Sequence, residues 1–352
     1  MKIAVIGSGI SGLSAAYYLS KKHRVDIFEK EDHFGGHSYT IDLTFGSKKI
    51  SVDIGFIVFN FKTYPNLINF FKENDVQIEK SDMSFSVSVD NTNFEYCGKG
   101  LGGIFSNKLN LFNIEFLKMF FDIIKFYKKS DQISISDEKK TLGEYLKINK
   151  LSQTFINYHI IPMVSAIWSM PPYEASKMPI DFFLKFFQNH GLFKLKNRPE
   201  WYTVTNRSRS YVNKIISKVS GEHFKNYKIT KIKRKSTGLD LYYGGENEFF
   251  DYDKVILATH ANEALKLIEN PTKDEKNILS NFNYKENVAY IHTDHRAMPK
   301  NKKAWCSWNS SLDPNNKKNS SVTYWLNQLQ NLKIDKNIFL TINPFFKIFV
   351  ID

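Results

Sequence analysis

The chain has 352 residues, 42% of them hydrophobic and 24% charged, with 49 Lys and Arg against 36 Asp and Glu for a formal net charge of +13. That mix excludes a disordered or fibrous chain, and the length is enough for two domains at about 100–200 residues each. Only six basic residues are Arg and the Lys are scattered, which argues against a nucleic-acid partner, because such readers concentrate charge and favour Arg for bidentate contacts.

Two cysteines, Cys97 and Cys306, give neither a disulfide framework nor metal-ligand spacing and fit a reducing compartment, so the cytoplasm is the expected location and no metal is expected. The apolar run after Met1 is too short for a secretion signal. The longest apolar stretch, 112–127, carries Glu115, Lys118, Asp122 and Lys125, so no transmembrane segment is expected. Contact with an anionic lipid surface, or an acidic substrate, stays open.

In chain order, Lys2-Ile3-Ala4-Val5-Ile6 reads as a buried parallel strand that runs directly into Gly7-Ser8-Gly9-Ile10-Ser11-Gly12. A helix follows to about Lys22, then a strand Arg24-Val25-Asp26-Ile27-Phe28 ending at Glu29. Gly7 permits the tight turn, Gly9 lets a pyrophosphate approach the backbone, and Gly12 allows close helix–strand packing. The helix N-terminus offers amides and partial positive charge to phosphates, and Glu29 can accept hydrogen bonds from the ribose while repelling a 2′-phosphate. The context of strand, glycine turn, helix, strand and acid makes this a dinucleotide site, which FAD and NAD satisfy equally.

The next residues, Glu29-Lys30-Glu31-Asp32-His33-Phe34-Gly35-Gly36-His37, make the chain resemble the flavin-containing amine oxidase superfamily, whose fingerprint is followed by an acid, a short spacer and a Gly-Gly-Arg-like turn. Here His37 stands in place of the Arg, which makes its charge contact dependent on protonation. The resemblance implies FAD as cofactor, with Lys30 beside the acid, the Gly35-Gly36 backbone against the pyrophosphate and His37 near the phosphates or the flavin. Residues 52–60 resemble the family's Asp-x-Gly segment beneath the flavin, which brings in Asp53, Gly55, Phe56 and Ile57. Blocks 60–67, 82–86, 166–169, 189–192 and 198–201 resemble a bacterial subgroup of FAD-dependent oxidoreductases. The implied fold is α/β: a Rossmann-like, glutathione-reductase-like FAD-binding domain with an inserted α+β substrate domain containing an antiparallel sheet.

Residues 84–97 alternate about the turn Asn91-Thr92-Asn93 and predict a hairpin, while 111–190 shows helical periodicity. Alternation over 227–233 and 240–250 predicts strands, and the resemblance sets the backbone of Ile229 beside adenine. Lys254-Val255-Ile256-Leu257-Ala258-Thr259-His260 predicts a buried strand whose Ala258 and Thr259 approach FAD. At Thr205-Asn206-Arg207-Ser208, where related chains carry a Gly-Gly turn, Arg predicts a strained or rerouted backbone. Four further runs, 288–293, 304–309, 321–326 and 338–342, predict the antiparallel sheet. The FAD-binding domain is therefore expected over 1–83 and 200–265, and the substrate domain over 84–199 and 266–352. No counterpart of the superfamily's closing segment follows His260, so a final C-terminal FAD-binding segment is expected to be missing.

The expected reaction moves hydride from a substrate C–H to flavin, with the cofactor carrying the chemistry. Amine oxidases place a Lys near the flavin, and the comparable strand, 287–294, has none. His292 is a candidate acid or base, and Trp168 and Asn60 are candidate pocket residues; against these stand an exposed strand histidine, a core tryptophan and a turn asparagine. Three functions remain: oxidation of an apolar acyl or isoprenoid substrate, oxidation of an amine, or a non-catalytic dinucleotide-binding remnant. The oligomeric state is not legible.

Overall fold

The computed structural model describes residues 1–130, 140–194, 197–245, 248–313, 316 and 320–349. The chain divides into two compact units, one of Met1–Ile57, Asn66–Ile78 and Val204–Glu286, the other of Val58–Pro65, Glu79–Thr203 and Asn287–Asp352. The first unit keeps residues 266–286, past the sequence boundary at 265, because the helices Ala261–Leu267 and Lys273–Leu279 pack on each other.

The first unit is built on a parallel sheet in the order Lys254–Leu257, Lys2–Ile6, Arg24–Phe28, His223–Phe224. Val5 stands opposite both Ile27 and Ile256. Ala4, Val5, Val25 and Ile27 are wholly buried, which is why these strands are continuous apolar runs. Asp26 is the charged exception, and its carboxylate accepts from the Tyr252 hydroxyl at 2.7 Å and the Glu222 amide at 2.8 Å. The helix Ile10–Leu19 buries Gly12, Leu13 and Ala16. A three-stranded antiparallel meander, Lys231–Arg234, Leu239–Tyr242 and Phe249–Tyr252, shares a core with Ala4, Ile6 and Phe28. The alternation read over 240–250 thus begins in the strand Leu239–Tyr242 and ends in the strand Phe249–Tyr252.

The second unit holds a six-stranded sheet in the order Ala289–His292, Phe339–Ile342, Ser320–Trp325, Trp308–Leu312, Phe85–Val89, Glu95–Cys97. Every neighbouring pair is antiparallel except Phe85–Val89 with Trp308–Leu312, a parallel pair that sets Val87 opposite Ser310. The predicted hairpin over 84–97 is present, its turn set by Asn91 at φ 55°. The strand predicted over 304–309 begins only at Trp308, because Lys302–Ala304 forms a 3-10 turn. The pleat separates the faces: Val87, Val89 and Leu312 join the helical core, while Ser86, Asn309, Thr323 and Thr341 point the other way. Ser86 Oγ donates to Asn309 Oδ1 at 2.7 Å, Asn309 Nδ2 to the Thr323 carbonyl at 3.1 Å, and the Thr323 and Thr341 hydroxyls meet at 2.8 Å. A buried polar row is therefore hydrogen-bonded across four strands.

Candidate dinucleotide-binding site

The glycine turn leaves the first strand at Gly7, whose φ of 96° only glycine adopts readily and whose amide donates to the Phe28 carbonyl at 2.9 Å. A Cβ on Gly7 would lie 2.7 Å from the Ala258 carbonyl oxygen, and one on Gly12 only 2.0 Å from the Gly7 carbonyl oxygen. Those two glycines are required by packing. Gly9 differs: its backbone sits at φ −60° and ψ 173°, open to any residue, and a Cβ there meets nothing within 4 Å. Gly9 precedes a helix that no side chain caps, so the first-turn amides around Ile10 and Ser11 are available to an outside acceptor.

Gly35 and Gly36, at φ 118° and 56°, fold back on this turn. The Gly35 amide donates to the Ser8 carbonyl at 3.2 Å and to Ser8 Oγ at 3.0 Å, and a Cβ on Gly36 would come within 3.0 Å of Gly9 Cα. Glu29 is 7% exposed at the end of the second strand. Its Oε2 accepts from the Ser8 amide at 3.0 Å and the Ser8 hydroxyl at 2.6 Å, and Oε1 accepts from the Glu31 amide at 3.1 Å. Lys30 points away to Glu263 at 2.8 Å, an ion pair that raises the lysine pKa.

His37 is exposed, and its ring stacks at 6.2 Å on His260, which stacks at 4.2 Å on Tyr284. The His260 and Tyr284 partners have no motif in the sequence; they come together only through the fold. Asp53 and Gly55 are occupied within the protein. Both Asp53 oxygens accept the Ser208 amide at 3.0 Å and Oδ1 accepts from Thr40 Oγ1 at 2.6 Å, so Asp53 anchors the start of the helix Arg207–Ile216. Burial raises its pKa against those hydrogen bonds. A Cβ on Gly55 would lie 2.1 Å from the His37 carbonyl oxygen, which also accepts from the Phe56 amide at 2.7 Å, so the close approach at Gly55 is to His37. Ile57 follows, half-buried.

The Ile229 side chain lies in the core with Ala4, Ile6 and Phe28, while its amide and carbonyl engage in no hydrogen bond among the described residues. Ala258 donates its amide to the Ile6 carbonyl at 2.8 Å, which sets Ala258 and Thr259 beside Gly7. Arg207 holds φ 66°, the strained left-handed turn expected from its sequence, with Nε donating to the Ser51 carbonyl at 3.0 Å.

All eighteen of these cofactor candidates fall in the first unit; the three catalytic candidates fall in the second. His292 is wholly buried: Nε2–H donates to Thr341 Oγ1 at 2.7 Å and Nδ1 accepts from the Asp294 amide at 3.1 Å, a pairing that fixes the tautomer. Burial pushes its pKa down to about 4. Trp168 ends the helix Ile161–Trp168 and packs on Phe186 at 4.5 Å. Asn60 Oδ1 accepts from the amides of Lys62 and Thr63, and its buried Nδ2 has no partner among the described residues. Among the described residues no group of three His, Cys, Asp or Glu is placed to hold a metal ion, and no helix is long and apolar enough to cross a membrane.

The family described as an NAD(P)-binding Rossmann-like domain matches residues 5–73. Prenylcysteine oxidase 1 of Rattus norvegicus is 26% identical in an alignment of 196 positions that covers 46% of this chain and 37% of that protein, so the chain matches little more than a third of the relative's length. A 1-hydroxycarotenoid 3,4-desaturase of Flavobacterium sp. (strain P99-3) is 44% identical over 69 residues, 19% of this chain and 13% of that one. Wild-type putrescine oxidase bound to putrescine superposes with a TM-score of 0.64 at 13% identity, covering 97% of this chain and 76% of the other. Residues 5–73 thus match an NAD(P)-binding Rossmann-like domain, and the chain shares its fold with putrescine oxidase.

Proposed function

We propose that this chain is an FAD-dependent oxidoreductase that takes hydride from a C–H bond of an apolar isoprenoid or acyl substrate. One observation carries the cofactor reading: Gly9 is a glycine that nothing inside the protein requires, at the uncapped start of a helix, where a side chain would stand in the way of a pyrophosphate. The backbone of Gly7, Ser8, Gly9, Ile10, Ser11 and Gly12 would hold that pyrophosphate, with Gly35 and Gly36 closing over it and His37 at its edge. Glu29, oriented by Ser8, would accept from the ribose hydroxyls, and the free amide and carbonyl of Ile229 match the donor and acceptor edge of adenine. Bound there, FAD supplies the hydride acceptor.

Two relatives favour the apolar substrate, a prenylcysteine oxidase and a carotenoid desaturase. An amine is the second reading, favoured by the fold shared with putrescine oxidase.

The test is the visible spectrum of the purified chain with and without added FAD. A flavin spectrum is expected, and Gly9→Ala should keep the fold while weakening FAD binding by about tenfold or more. A protein that ignores FAD, or a Gly9→Ala variant that binds as well as the parent, overturns the cofactor reading. Anaerobic bleaching by a prenyl thioether or a polyene supports the apolar substrate; bleaching only by primary amines replaces it with the second reading.

A further inference from the structure

Twenty large hydrophobic side chains are exposed among the described residues, and six of them fall within 101–121: Leu101, Leu109, Leu111, Phe112, Ile114 and Phe121, at 49% to 85% exposure. The clustering has a local cause. The 3-10 turn Lys108–Phe112 runs through Asn113 directly into the helix Ile114–Lys129, and Asn113 ends the first and caps the second through its side chain, which accepts the Phe116 amide at 3.1 Å. Leu109, Leu111, Phe112 and Ile114 are thereby held at one tip. Down the helix the exposed stripe continues as Lys118, Phe121, Lys125 and Lys128, while Phe116, Met119, Ile123 and Phe126 point into the core. The core is already served by the opposite face.

Charge tells what this tip can meet. Residues 99–129 contain six Lys against Glu115 and Asp122, and both acids are engaged: Glu115 with Lys118 at 2.7 Å and Thr154 at 3.0 Å, Asp122 with the Ser152 amide at 2.7 Å. A second copy of the chain would bring like charges together on a molecule already at +13. Lysine stems can lie along apolar surface while their ammonium groups reach anionic headgroups.

We propose that the tip docks on the surface of an anionic bilayer, with Leu109, Leu111, Phe112 and Ile114 entering the boundary between headgroups and acyl chains and Lys125 and Lys128 resting on lipid phosphates. The proposal is independent of the flavin reading, since partitioning to lipid needs no redox chemistry.

The experiment is co-sedimentation of the full chain with vesicles of phosphatidylcholine carrying about 30% phosphatidylglycerol, against pure phosphatidylcholine, at low and high salt. The chain should bind the anionic vesicles and release at high salt. Phe112→Ser with Ile114→Ser should lower the bound fraction about tenfold or more, and Ile278→Ser, an exposed apolar residue of the other unit, should not. Lys125→Glu with Lys128→Glu gives an independent variant that keeps the apolar tip and should bind several-fold more weakly at low salt. No binding to anionic vesicles, or unchanged binding by both double variants, overturns the proposal. So does a shift from dimer to monomer in the serine variant with vesicle binding intact, which would make the tip a contact between copies of the chain.

Discussion

The Ser8 hydroxyl stands between Glu29 and the Gly35-Gly36 turn: it donates to Glu29 Oε2 at 2.6 Å and accepts the Gly35 amide at 3.0 Å. Ser8 is wholly buried, so its side chain does not face a ligand; it is a positioning residue for the acid and for the glycine pair. Ser8→Ala leaves a buried carboxylate short of one donor, and the fold should lose about 1–3 kcal/mol in urea melts. FAD affinity should fall with it, because Glu29 is then oriented by the Ser8 and Glu31 amides alone. An unchanged FAD dissociation constant in a destabilised variant would show that Ser8 serves folding alone.

Gly9 and Gly12 separate the demands of ligand and fold. Gly12→Ala drives a Cβ to 2.0 Å from the Gly7 carbonyl oxygen, and stability should fall by about 3 kcal/mol or more. Gly9→Ala meets open space and should change stability by no more than about 0.5 kcal/mol. Thermal melts of the two variants without added FAD decide this, and equal destabilisation would be the contrary result.

Arg207 carries the backbone strain of the unit. Its φ of 66° costs a side-chain-bearing residue about 1 kcal/mol, while its guanidinium recovers some of that through the Ser51 carbonyl. Arg207→Ala keeps the strain and loses the hydrogen bond; Arg207→Gly loses both. The glycine variant should therefore be the more stable of the two by about 1 kcal/mol, less whatever glycine adds to the entropy of the unfolded chain. Denaturant midpoints at equal slope measure the difference.

What the sequence made legible was local chemistry. Gly7 to Gly12 and Glu29 lie within one strand–helix–strand unit, where spacing alone dictates geometry, and the Arg207 turn was readable because Arg stands where chains of the resembling family carry a Gly-Gly turn. Asp53 and Gly55 were harder, since the groups that occupy them, the Ser208 amide and the His37 carbonyl, lie 155 and 18 residues away. The parallel pairing of Val87 with Ser310 joins strands more than 200 residues apart and has no periodic signal of its own. Burial of His292 follows from that sheet, so its neutral, fixed imidazole could not be foreseen from an alternating strand. Cys97 and Cys306 read as unrelated residues, yet both are buried thiols in the same unit.

His159 offers the sharpest test of the second unit's core. It lies in a π-helical turn, Ile156–Ile160, with Nδ1 2.8 Å from the Tyr96 hydroxyl and Nε2 2.9 Å from that of Tyr127. Tyr96 donates to the Tyr158 carbonyl at 2.8 Å, so it accepts from Nδ1–H, and Tyr127 must then donate to Nε2. The imidazole is therefore neutral, and burial pushes its pKa down to about 3 from an ordinary value of 6.5. The sign follows from proton linkage: below 6.5 the unfolded chain takes up a proton that the folded chain refuses, so stability is full above pH 6.5 and is lost as pH falls toward 3. His292, pushed down to about 4, acts in the same direction. Together they should make the unfolding free energy fall by up to about 1.4 kcal/mol per pH unit for each histidine once the pH is well below 6.5. His159→Gln should lower stability at pH 7 yet remove one proton from the slope between pH 4 and 6, measured by urea unfolding across a pH series. A slope unchanged by the substitution would mean that His159 takes up its proton in the folded protein as in the unfolded chain, with both ring nitrogens then donating to the Tyr96 and Tyr127 hydroxyls.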